Sequence, residues 1–286
     1  MKWKLKLGTF AGIDVYLHLS FVLLLGWLGF IYWTRGAGFL SMLEGLIFIL
    51  ALFSCVVLHE FGHALTAQRY GIKTRDIILL PIGGVARLER VPEDPRQELW
   101  VALAGPAVNV IIAFVLLVWL QVSNTFEPLH NLTLTTGPFA ERLLSANVFL
   151  ALFNMLPAFP MDGGRVLRAL LATRLHYSRA TQYAANIGQG MAFIFGVLGL
   201  FTNPFLLFIA IFVWLGAAQE ASMVHMKSAM RDIPVKKAMI TEFTTLSPSD
   251  SLARAIELTL TTSQTDFPVV EDGEVKGILV QPILFD

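Results

Sequence analysis

The chain of 286 residues carries 21 basic and 21 acidic side chains, so its formal net charge is zero, and 55% of its residues are hydrophobic against 15% charged. Soluble domains have about 25% charged residues, so the deficit excludes an ordinary soluble enzyme, and the even balance of charge excludes nucleic acid as a partner. Residues 227–286 hold 15 of the 42 charges, a quarter of that segment, which divides the chain into an oily body and a water-soluble tail.

In chain order, Lys2, Lys4 and Lys6 precede an interval between Asp14 and Arg35 of 20 uncharged residues with no small-residue cleavage pattern. It reads as a retained membrane span at about 15–33 and not as a removed leader. Further spans are expected at about 43–66, 99–120, 143–161, 187–201 and 204–218, the last two separated by the turn signal Thr202-Asn203-Pro204. Six spans starting inside put both termini in the cytoplasm. In that order 19 Lys and Arg lie in inner segments and only Arg35 and Arg142 in outer ones. Between spans two and three, residues 77–80 and 85–88 flank Pro81-Ile82-Gly83-Gly84 and read as a hairpin, one strand of which offers an edge to an extended peptide. Cys55, the single cysteine, reads as a small buried hydrophobe in span two. From about Arg231 the tail predicts a helix with Ala253, Ile256 and Leu260 on its apolar face, then strands 267–270 and 275–280 joined at Asp272-Gly273. The expected fold is an all-α polytopic membrane protein of about six transmembrane helices, with a small membrane-associated β-hairpin and a small soluble α/β tail. Its domains are 1–220 and 231–286.

Span two contains His59-Glu60-Phe61-Gly62-His63. Positions i and i+4 of a helix share a face, so the two imidazoles can ligate one Zn²⁺ per chain while Glu60 reaches an activated water. A chance match in a chain this long is expected at about the one-per-cent level, and ionisable groups inside a span are costly unless used. Catalytic zinc takes three protein ligands and keeps an open position. His18 near the inner end of span one, His130 in an outer loop, His176 and His225 in charged inner segments, and Glu44 at the far end of its helix are all badly placed. Asp162 remains, at the end of span four, which Pro157 and Pro160 must break. A helix cap at the inner boundary is its competing role. The chemistry expected is metal-assisted hydrolysis with Glu60 as base. A membrane transporter or channel with a regulatory tail also explains Asp162 and a broken span, but leaves His59, Glu60 and His63 without a common role. A scaffold without activity is disfavoured by the complete ligand-and-base set.

These residues, with Pro81-Ile82-Gly83-Gly84, Ala104-Gly105-Pro106-Ala107-Val108-Asn109 and the stretch 154–165, resemble in content and order the site-2 proteases. These are intramembrane zinc metalloproteases, and the likeness is to the bacterial and archaeal branch with a cystathionine-β-synthase-type (CBS) tail. The resemblance implies His59, His63 and Asp162 as zinc ligands, Glu60 as general base and Asn154 as an oxyanion-stabilising side chain. It also implies cleavage of a peptide bond within or near a transmembrane helix of a substrate in the cell membrane. By themselves, Ala104-Gly105-Pro106-Ala107 read as small-residue helix packing and Asn109 as the partner of a neighbouring helix. CBS motifs work in pairs that bind adenine nucleotides. The tail shows one motif before the sequence stops at Asp286, so either the chain is cut short or two chains pool their motifs in a homodimer, and an adenine nucleotide is the ligand such a pair would take.

Overall fold

The computed structural model describes residues 3–36, 38–81, 83–90, 92–123, 137–231, 234–237 and 239–280. Ile82 and His130 lie outside them. The chain forms two compact units, Met1–Ser228 and Ala229–Asp286.

The first unit opens with strands β1 (Lys4–Phe10) and β2 (Ile13–His18), antiparallel across a turn at Ala11 and Gly12, both at positive φ. Helix α1 (Leu19–Thr34) follows, and His18 caps it by accepting the Ser20 N–H at Nδ1. The uncharged interval read as span one is thus strand as far as His18. After α2 (Phe39–Arg69) come β3 (Thr74–Leu80) and β4 (Gly83–Leu88), and the four strands form one sheet in the order β1-β2-β3-β4. β2 and β3 are parallel, with Asp14 opposite Asp76, and the other pairs are antiparallel. The expected hairpin is therefore half of a mixed sheet. Because β3 is paired on both sides, residues 77–80 have no edge to offer, and the free edge on that side belongs to β4.

Helix α3 (Pro95–Val122) starts at Asp94, whose carboxylate accepts the N–H groups of Arg96 and Gln97 ahead of a first-turn proline. Then come α4 (Phe139–Asn154), α5 (Asp162–Ala172), α6 (Tyr177–Phe201) and α7 (Phe205–Arg231). Among the described residues, four helices, α2, α3, α6 and α7, are long and apolar enough to cross a membrane. α6 and α7 exceed the expected spans because residues 177–186 and 219–231 continue them. α1 and α4 have 16 residues each, about 24 Å. α4 stops at Asn154 and not near 161, since Pro157 and Pro160 leave residues 155–161 without a helical bond pattern.

Packing is inverted relative to a soluble protein. Small residues fill the interior, among them Ala64, Ala67, Ala102, Ala184, Ala185 and Ala217, whereas Trp27, Phe114, Phe193 and Phe208 project outward. Small side chains let helix backbones approach where lipid removes the hydrophobic drive between helices. Phe159 packs on Ala184, Ala185 and Ala217, and Ala158 and Met161 pack with Ala192 and Val213, so the non-helical segment after α4 is pinned to α6 and α7.

In the second unit, α8 (Leu252–Thr261) is capped by Ser251 and followed by the antiparallel pair β5 (Phe267–Glu271) and β6 (Glu274–Leu279). Asp272 and Gly273 both have positive φ, as a two-residue hairpin turn requires. The buried face of α8 is Ala255 and Leu258, packed with Leu246 and Phe267. The expected face is corrected: Leu260 is 76% exposed, because Leu246 bridges to Val269 and draws the helix onto β5 through its 255/258 side.

Candidate metal centre

His59 and His63 stand one turn apart on α2, both buried, and Asp162 is the first residue of α5, also buried. The Nε2 atoms of the two imidazoles and Oδ2 of Asp162 are each 3.1 Å from the other two. Asp162 is not a cap: Met161 holds the N-cap position, and the carboxylate turns to the imidazoles. It reaches them from a new helix after the break, not along a continued span four. Behind it, Arg168 is wholly buried, donates to Glu98 of α3 at 2.8 Å and to Glu220 of α7 at 2.5 Å, and so ties α5 to both helices.

The far nitrogens of both rings are also held. His63 Nδ1 lies 2.6 Å from the Val101 carbonyl oxygen, and a carbonyl only accepts. His59 Nδ1 lies 2.5 Å from Asn109 Oδ1. With protons on Nδ1, both Nε2 lone pairs face the common point.

That point fits zinc. Four ligands at about 2.0–2.1 Å in a tetrahedron stand about 3.3–3.4 Å apart, close to the 3.1 Å here, and two imidazoles with one carboxylate are a catalytic zinc donor set. Room exists because residue 105 is glycine: a Cβ there would lie 2.6 Å from His59 Nε2 and closer still to His63 Nε2. Gly62 on α2 does the same from the other side, its missing Cβ making way for the Ala104 carbonyl. Gly105 and Asn109 thus line the site: Asn109 hydrogen-bonds to neighbouring helices as expected, to His59 of α2 and Asn147 of α4, but the expectation did not name His59 as the partner. Asn147 and the Val101 carbonyl escaped notice altogether, although an asparagine inside an apolar helix is itself a signal of use.

Glu60 sits against β4. Its carboxylate accepts the Ala86 N–H at 3.3 Å, and its Cγ lies where a Cβ on Gly84 would approach to 2.7 Å. Asn154, the last residue of α4, is half-buried and makes no side-chain hydrogen bond among the described residues.

The sequence model of peptidase family M50 matches residues 47–144 and 135–197, and that of the CBS domain residues 231–281. The chain belongs to peptidase family M50. It is 36% identical over 282 residues to a zinc metalloprotease of Methanocaldococcus jannaschii, covering 98% of this chain and 78% of that one. A solved site-2 protease from the same organism superposes with a TM-score of 0.55 at 36% identity, covering 85% of this chain and all of that one. As an M50 peptidase the protein is an intramembrane zinc metalloprotease and an integral membrane protein acting on membrane-protein substrates. The transporter reading is set aside.

Proposed function

We propose that His59, His63 and Asp162 are the zinc ligands of this M50 peptidase and that Glu60 is its general base. The observation that carries the reading is the meeting of three ligand atoms 3.1 Å apart beside the hollow left by Gly105. Zinc, when bound there, supplies Lewis acidity toward water and the scissile carbonyl. Glu60, adjacent to His59 on α2, takes a proton from the attacking water and returns it to the leaving amine. Asn154 is assigned to the oxyanion, on the strength of its place at the end of α4 just before the segment that leads to Asp162.

A substrate helix hides its carbonyls in its own hydrogen bonds and loses them on unwinding, at a cost that is severe away from water. The edge of β4 supplies replacements. The Ala86 amide points away from β3 to Glu60, so a substrate segment adding as a strand competes for that donor and releases the carboxylate beside the bond to be cut.

Six crossings, with α1 and α4 completing the four long helices, place both termini in the cytoplasm. Supporting this, strands before α1 and strands after α2 share one sheet, so they lie on one side and an even number of crossings separates them. The 19-to-2 distribution of Lys and Arg sets which side. Residues 1–220 form the peptidase domain and residues from 231 on a CBS-type unit, where the CBS family model matches.

Metal content and cleavage of a membrane substrate, measured on the same preparations, test the assignment. His59→Ala, His63→Ala and Asp162→Ala should lose zinc and activity together, and Glu60→Gln should lose activity alone. Full zinc and full activity in Asp162→Ala would overturn it.

A further inference from the structure

The hydrogen bond on His59 does not end at Asn109. Asn109 Nδ2 donates to Asn147 Oδ1 at 2.9 Å, and Asn147 Nδ2 donates to the Leu143 carbonyl at 2.9 Å and toward Cys55 Sγ at 3.4 Å. Both asparagines are fully buried. A carboxamide is free to present either its oxygen or its NH₂ to a neighbour, and His59 is a usable ligand at Nε2 only if Asn109 presents oxygen. The reverse orientation would place NH₂ against Nδ1, move the ring proton to Nε2 and remove the lone pair from the metal.

We infer that Asn147 is a positioning residue that sets the tautomer of His59 from two hydrogen bonds away. The Leu143 carbonyl can only accept, which commits the Asn147 NH₂ to α4 and leaves its oxygen for Asn109. Asn109 must then turn its own NH₂ to Asn147 and its oxygen to His59. The direction of the chain is thus fixed at its far end by backbone, inside a helix bundle where an unpaired amide is costly.

The inference rests on His59 being a ligand, and its test separates the two. Zinc affinity is read by chelator competition in the full-length detergent-solubilised protein, and the His59 tautomer by nitrogen-15 NMR of the metal-free protein. Asn147→Leu should lower zinc affinity about 10–100-fold, the usual loss when a ligand's supporting partner is removed, and should populate both tautomers. Asn147→Asp, which keeps the acceptor toward Asn109, should retain affinity and tautomer. A carboxylate at 109 has no orientation to choose, so Asn109→Asp combined with Asn147→Leu should bind zinc as Asn109→Asp does alone. A purely packing role for Asn147 would leave the two losses additive. Wild-type affinity and a single tautomer in Asn147→Leu, or absence of rescue in the double variant, would overturn the inference. Retention of zinc by His59→Ala would instead defeat the ligand assignment.

Discussion

Adding one methyl group at residue 105 should empty the metal site. A Cβ on Gly105 would stand 2.6 Å from His59 Nε2 and nearer to His63 Nε2, whereas unstrained contact begins at about 3.5 Å. Relief of the His59 contact alone demands a displacement of about 0.9 Å by α3 or the imidazole, and that of His63 more, beyond the roughly 0.5 Å that a functional constellation tolerates. The methyl also enters the space within bonding reach of both nitrogens. Zinc affinity in Gly105→Ala should therefore fall at least about 100-fold, about 2.7 kcal/mol. Helix propensity acts in the opposite direction, favouring alanine by about 1 kcal/mol, so the metal-free protein should remain folded. Zinc titration against a chelator measures the loss, with Gly190→Ala as control, because a Cβ there meets nothing within 4 Å. Wild-type affinity in Gly105→Ala would refute the placement of the metal beside α3.

Gly84→Ala should lower turnover with zinc retained, because the new Cβ would meet Glu60 Cγ at 2.7 Å and Val56 Cγ1 at 3.2 Å; unchanged kcat would show that β4 does not position the base. Arg168→Met should destabilise the membrane unit by about 3–5 kcal/mol, as expected when one partner of a buried pair is removed, read as a lower unfolding midpoint in detergent; an unchanged midpoint would count against the Glu98–Arg168–Glu220 cluster as an anchor of α5. Hydrogen bonds from Arg87, and secondarily Lys4, hold Asp76 below the usual carboxylate range. A lowered folded-state pKa contributes stability that is present above the ordinary value, about 3.9, and is lost as pH falls through the lowered one. Acid unfolding of the sheet, followed by amide exchange, should therefore lose this dependence in Asp76→Asn.

The candidate metal group was legible because two of its members lie within five residues of one helix, and Asp162 because so few other ionisable groups had a plausible depth. What joins them was not. Gly105 and Asn109 act across helices, and one sequence does not tell which helix faces which. Charge counting marked where water is excluded but cannot separate strand from helix, so residues 15–18 of β2 merged with α1; the alternation of Lys4 and Lys6 with Leu5 and Leu7 carried the strand signal. Pro157 and Pro160 announced a break whose extent only packing decides, since Ala158, Phe159 and Met161 are buried by α6 and α7. In the tail, both candidate faces of α8 hold apolar residues, and the bridge from Leu246 to Val269 selects between them.

The parallel pairing of β2 with β3 has a consequence for biogenesis. Residue 14 meets residue 76, and between them lie the rest of β2, α1, α2 and their connections, so the sheet closes only after both helices have left the ribosome. Until residue 80 emerges, β2 waits without its partner strand, and until residue 88 does, Glu60 has no β4 beside it. Assembly of the centre is thereby timed to follow synthesis of both helices, and a nascent chain halted in α2 carries its His59-Glu60 pair with neither Asp162 nor β4 beside it.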